Sequence, residues 1–252
     1  MTDMKRLIVC ALVACGFAPA FAQDYYGLFN HVAVNAGVGT EGVSLGVATP
    51  VTEFLELSAG MNIMPSIKIK EDVDINASIP FPGYSLKSLD IEGDLARTTF
   101  DVKLNVYPAG DAFPLFIAGG LSFGGKNIGT LQGYSKDVAQ LYADHPEYAG
   151  TISTKIDEYE LGFDRQGYVN GDVRVKSLRT YAGFGFGRLV PKKRIGFRFE
   201  LGCQFMGKMK LYQNDKEITA TVMENNDGDI SKIIDKVKVY PVLKLSLIGR
   251  IF

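Results

Sequence analysis

The chain has two histidines. His145 stands beside Asp144 and Glu147, where it could act as a general base toward Ser135 or Ser153. No spacing among these residues marks a triad, so an ordinary loop histidine is the simpler account. His31 falls on the inward parity of the first candidate strand. No Cys/His spacing suits a metal. Asn225-Asn226-Asp227-Gly228-Asp229 suggests a calcium loop, yet the EF-hand ligand series and its closing Glu are missing, and an Asp-Gly turn explains it better. The Gly-rich runs Gly183–Gly187 and Gly119–Gly125 alternate with large apolar residues along strands and open no helix, so they are not phosphate loops. No metal or cofactor is expected.

The other chemistry-bearing set is ionic. Glu56, Arg97, Asp101, Lys103, Arg198, Glu200, Lys244 and Arg250 each alternate with apolar neighbours. What they can do depends on the strands that hold them. In IGFRFELGCQFMGKMKL, residues 195–211, Ile195, Phe197, Phe199, Leu201, Cys203 and Phe205 fall on one parity, and Arg198, Glu200, Gln204 and Lys208 on the other. A period of two means one apolar and one polar strand face. A soluble strand is usually about 5–6 residues long. A membrane-spanning strand needs roughly 9–11, apolar outward and polar inward.

The same pattern recurs over 29–39, 43–51, 53–64, 95–107, 113–124, 178–190 and 238–252, which makes eight strands. The connections after strands two, four and six are short. Those after three, five and seven, at 65–94, 125–177 and 213–236, are long; the link after strand one, Gly39–Gly42, is tight. IKIKEDVDI and SLKSLDIE alternate within 65–94, so strands there are expected to project past the bilayer, and Ser135–Ala143 suits a short helix. With a periplasmic N-terminus, the short turns after strands two, four and six face the periplasm and every long loop the exterior.

Lys5 and Arg6, an apolar run from Leu7 to Ala22 and Ala20-Phe21-Ala22 before Gln23 describe a secretory signal peptide, residues 1–22. Leu12-Val13-Ala14-Cys15 is a competing lipobox, whose Cys would carry lipid. Either route exports the chain. Cleavage after Ala22 removes two of three cysteines, one of 28 acidic and two of 27 basic residues, leaving Cys203 alone and a net charge near −2. Residues 23–252 then form one domain. Cys203 lies on the apolar parity of its strand and is expected to face lipid. Nothing suggests a nucleic-acid footprint.

With its leader, eight alternating strands, loop asymmetry and terminal LSLIGRIF, the chain resembles small eight-stranded outer-membrane β-barrel proteins, the outer-membrane protein A transmembrane domain and OmpX-like proteins. The resemblance spans residues 23–252 and is architectural. It implies an all-β, antiparallel up-and-down transmembrane barrel in the bacterial outer membrane, with lipid around it, the barrel-insertion machinery reading its last strand, and an extracellular ligand possible at the loops. Phe252 departs from the family's phase by sharing the parity of Arg250, which a bulge near Gly249 would repair. A soluble lipocalin is the structural competitor; the absence of Trp and the Gly-rich inward faces count against it.

At eight strands the interior is just wide enough to be filled by side chains, and charges in it must pair. Glu56 is expected to meet Lys103, and Glu200 to meet Lys244 and Arg250, with Arg179 or Arg250 reaching the rim. The expected role is structural or surface-interacting, with the lumen plugged and no enzyme activity. The alternatives are a narrow pore, gated by the same pairs, and a lipid A acyltransferase or deacylase, which some small outer-membrane barrels are.

Overall fold

The structure, a computed structural model, describes residues 27–77, 84, 86, 88–156, 159–219 and 239–251. The leader, the Asn225–Asp229 segment and Phe252 lie outside the described residues.

Eight strands close a barrel: β1 (Ala33–Gly39), β2 (Gly42–Thr52), β3 (Leu55–Met64), β6 (Arg97–Val106), β7 (Leu115–Gly124), β12 (Leu178–Phe186), β13 (Ile195–Phe205) and β16 (Val239–Arg250). Each pairs antiparallel with the next, and β1 closes on β16. Closure pairs the backbone groups that an open sheet edge would leave bare. The expected face of each strand is the observed one. On β6, Thr99, Asp101, Lys103 and Asn105 are buried, while Phe100, Val102, Leu104 and Val106 are exposed.

The seventh expected strand is shorter than its pattern. It ends at Phe205, because Gly207 takes φ +77° and Met206 turns into a buried cluster with Ile128 and Val175. The bulge near Gly249 that would bring Phe252 into the family's phase is absent from the described residues. Pairing with β13 and β1 runs without a shift through Gly249, and the one register shift in the barrel falls between Pro50 and Thr52.

The described parts of the long connections are not open loops. They form a second sheet from β4 (Lys68–Ala77), β5 (Ser88–Asp94), β8 (Asn127–Tyr134), β9 (Ile152–Ile156), β10 (Tyr159–Gly162), β11 (Tyr168–Arg174), β14 (Lys210–Gln213) and β15 (Lys216–Ile218), ordered β10-β9-β4-β5-β8-β11-β14-β15. Five barrel strands run on into it after breaks of a few residues, as β3 does into β4 and β7 into β8. Here the sense of the alternation reverses: Leu89, Ile91, Val169 and Leu211 point in, and Ser88, Asp90 and Asn170 point out. That is the pattern of strands whose outer face meets water.

The upper sheet curls around its own core. The helix α1 (Lys136–Asp144) contributes Val138, Leu141 and Tyr142, packed with Ile75, Ile152 and Leu161. Its start is set by Ser135, whose hydroxyl accepts from the Val138 amide at 3.3 Å. The curl brings the ends of the sheet together. Gln213 on β14 accepts from the Gly162 amide on β10 at 3.0 Å and donates to the Gly162 carbonyl at 2.8 Å, so one side-chain amide stands in for a strand.

Leu161 is 1% exposed at the centre of this core. Replacing Leu161 with Ala should therefore cost the upper sheet about 2–5 kcal/mol. Hydrogen exchange should quicken across β8–β11 and stay slow in the barrel strands. Equal loss of protection in both would show that the upper core is not separate.

Candidate functional site

The buried charges of the lumen are the candidate site, and they form one connected series from the turn end of the barrel to the upper sheet. At the turn end, Glu56 on β3 is fully buried. It accepts from the Tyr107 hydroxyl at 2.6 Å, the backbone amides of Leu189 and Val190 at 3.0 and 3.4 Å, and Arg188 at 3.4 Å. Two successive amides aimed at one carboxylate are an anion-binding arrangement. They exist because Gly187 takes φ +109°, which turns the chain off β12 and into the barrel mouth. Leu189 and Val190 then pack on Ala33, Ala48 and Ile248. Arg188 stacks over the Tyr107 ring, donates to the Glu53 carbonyl and lies 3.7 Å from Asp111, which also pairs with Lys192 at 2.5 Å.

In the middle stands Glu200 on β13. It accepts from Lys103 at 2.9 Å, from the Tyr181 hydroxyl at 2.5 Å and from Arg198 Nη2 at 3.0 Å. Arg198 also donates to Tyr107 and to Asn105, at 3.1 and 2.7 Å, and so joins this group to Glu56. Tyr181 fits because its neighbours are small: a Cβ on Gly183 or Gly202 would collide with its hydroxyl. Toward the upper sheet, Asp101 lies 3.7 Å from Lys103 and accepts from Asn62 at 2.7 Å. Lys244 donates to Asn62 at 2.7 Å and pairs with Glu41 at 3.2 Å, and Gln204 donates to Glu41 and to Ser122. The space left among these side chains is about 40 Å³, room for a few water molecules.

Three expected pairings are replaced. Glu56 does not meet Lys103, since their strand partners are Asn105 and Ser58, and Lys103 reaches across the lumen to Glu200 instead. Glu200 sits opposite Lys244 in register, yet Lys244 leans upward to Asn62 and Glu41. Arg250 is at the far end of β16, where it donates to the Pro191 carbonyl at 3.4 Å. Arg97 is half-buried at the upper rim, over the Tyr240 ring. Arg179 is buried there too, donating to the Lys176 and Gly125 carbonyls.

Glu41, Asn62, Tyr107, Tyr181, Arg188 and Gln204 were not among the expected network residues. Arg188 carried a signal: the parity of strand six would send it into lipid, where an arginine is costly, so a chain break before it was to be expected. Glu41 carried none, being one residue of a two-residue turn that folds its side chain back inside.

The other candidates do not assemble. His145 pairs with Glu147 at 3.1 Å, Ser135 caps α1, and the Ser153 hydroxyl donates to Glu160. His31 precedes β1, and its carbonyl accepts from Thr49. Cys203 is half-buried on the outward groove beside Phe184 and Leu243. Among the described residues, no group of three or more His, Cys, Asp or Glu is placed to hold a metal.

No protein-family model matches the sequence, and no curated protein does. Among solved structures the chain is similar to CarO of Acinetobacter baumannii, with TM-score 0.48, 18% identity, and coverage of 88% of this chain and 99% of that one. It is similar to CarO2 of the same organism at TM-score 0.45 and 19% identity, covering 87% and 98%. A major outer membrane protein from Thermus thermophilus aligns at TM-score 0.35 and 13% identity, over 87% and 98%. Likeness at this level adds nothing to the strand pairing above, on which the fold rests.

The network can be tested at both ends. Glu56→Gln keeps the shape but removes the buried charge that faces Arg188 and turns an NH2 donor toward groups that donate, the Tyr107 hydroxyl or the Leu189 and Val190 amides. It should cost about 3–5 kcal/mol, read as a lower temperature for the shift from compact to unfolded mobility in detergent gels. Lys103→Met and Glu200→Leu should each destabilise, and the double variant less than their sum, with a coupling of about 0.5–3 kcal/mol. Additive losses would mean that the two charges do not depend on each other.

Proposed function

We propose that the chain is an integral bacterial outer-membrane β-barrel, closed to ions by its own side chains, that works through the surface of its upper sheet. The observation that carries this reading is the polarity of the barrel. Leu45, Phe100, Ile117, Phe184, Phe197 and Leu247, from six of its strands, are between 50% and 77% exposed, while the charges lie inside. A soluble barrel has the opposite sense, apolar within and polar without. In hydrocarbon the same exterior is the stable one, and seven of the eight strands, at 9–12 residues, have the length to cross it.

Closure of the lumen rests on the linked pairs and on the Leu189–Val190 turn folded into its mouth. An ion would have to displace partners that leave buried charges behind. This favours a scaffold over a pore. The N-terminal leader supplies export, and a periplasmic turn end places the upper sheet outside the cell, where a rigid base presents it to extracellular partners. No step of this role needs the histidines.

The protein should fractionate with outer membranes, resist carbonate extraction and give no steady open-channel conductance in planar bilayers. A tag at Gly150, an exposed turn with φ +88° and free space around it, should be reached by antibody on whole cells. A tag at Lys192–Lys193 should not. Recovery as a soluble periplasmic protein would overturn the membrane reading, large conductance the closed lumen, and reversed labelling the orientation.

A further inference from the structure

Three lysines stand side by side where the barrel strands break. Lys126 lies between β7 and β8, Lys176 between β11 and β12, and Lys208 between β13 and β14. These strands are neighbours in the barrel. The Val175 amide donates to the Lys126 carbonyl at 2.9 Å, and the Gly124 amide to the Ser177 carbonyl at 3.0 Å, which sets Lys126 level with Lys176. The stem of Lys176 lies along Gly207, 3.4 Å from where a Cβ would be, which sets it beside Lys208.

All three are exposed, and none of their ammonium groups has an ion pair or hydrogen bond with a described residue. Elsewhere on the upper sheet Lys68 is matched with Glu92 and Lys210 with Glu217, both at 2.7 Å, while Lys70 and Lys216 stand singly on other strands. Three unmatched like charges on adjacent strands repel one another unless an anion joins them. Immediately on the barrel side are Phe123, Leu178 and Phe205, each between 43% and 49% exposed. Phe123 and Leu178 are direct register partners, and Phe205 is paired with Thr180, two residues on from Leu178. A row of cations over an apolar shelf fits an amphiphile with phosphate at its head and hydrocarbon below.

The orientation of the row rests on the proposed outer-membrane placement, which sets it at the outer surface of the bilayer. We propose that Lys126, Lys176 and Lys208 bind the phosphates of the outer-leaflet glycolipid, lipid A, with its acyl chains against Phe123, Leu178 and Phe205. The site fixes both the depth of the barrel and the rotational position of the glycolipid around it.

The test is native mass spectrometry of the full-length mature protein in detergent, titrated with bisphosphorylated lipid A, the same lipid stripped of phosphate, phosphatidylglycerol, and inorganic phosphate as competitor. Attraction at a charged membrane surface is about fivefold per lysine, so Lys126→Gln, Lys176→Gln and Lys208→Gln together should weaken lipid A binding roughly a hundredfold. Replacing all three with Arg should keep it, as should Lys68→Gln. Dephosphorylated lipid should bind wild type and the triple Gln variant alike. Equal lipid A binding by wild type and the triple Gln variant would overturn the proposal. So would phosphatidylglycerol binding as tightly as lipid A, or displacement of lipid A by millimolar inorganic phosphate. Fractionation separates this from the reading beneath it: wild type outside the outer membrane refutes the placement, whereas correctly placed protein with no lysine dependence refutes only the lipid site.

Discussion

Eight strands close around a space that side chains alone must fill. Everything inside the barrel follows from that narrowness. A charge there has no bulk water to fall back on, so its partner must come from the few residues at the same height. Glu200 finds Lys103 across the lumen rather than on a neighbouring strand, with Tyr181 and Arg198 completing its shell. Because each partner is shared, the pairs merge into one series, and the removal of a member is felt by the next.

Legibility in the sequence followed the same physics. Alternation reports which face a residue takes, and on β6 every face was correct, since the charges are gathered inside and the narrow lumen admits few large apolar groups. Alternation does not report who stands opposite. Glu56 and Lys103 share a face on adjacent strands and still do not meet, because long side chains in a narrow tube reach across it as easily as sideways. Arg188 and Glu41 escaped for another reason. Both sit in turns, where one φ value decides whether a side chain points in or out.

The upper sheet was legible only in part. β4 and β5 alternate and were expected to project past the barrel strands, whereas β8, β9, β10, β11, β14 and β15, at three to eight residues, in isolation read as loop. They are strands because the barrel beneath holds their roots in register, and because α1 supplies apolar surface that the sheet could not bury unaided. The helix itself was readable from Ser135 onward, a local signal. Its destination, the inside of a curled sheet, was not local.

The turn that seats Glu56 also bears on the order of assembly. Its contacts join residues 132–134 positions apart, so they cannot form while the early hairpins are alone, and closing so long a loop is slow. Glu56 therefore waits, paired with little more than Tyr107, until β12 and β13 arrive with Arg188 and the two amides. A barrel caught before that moment holds an unneutralised carboxylate in a drying interior. The late-arriving half of the chain thus decides whether the early half can keep its charge inside a closed barrel.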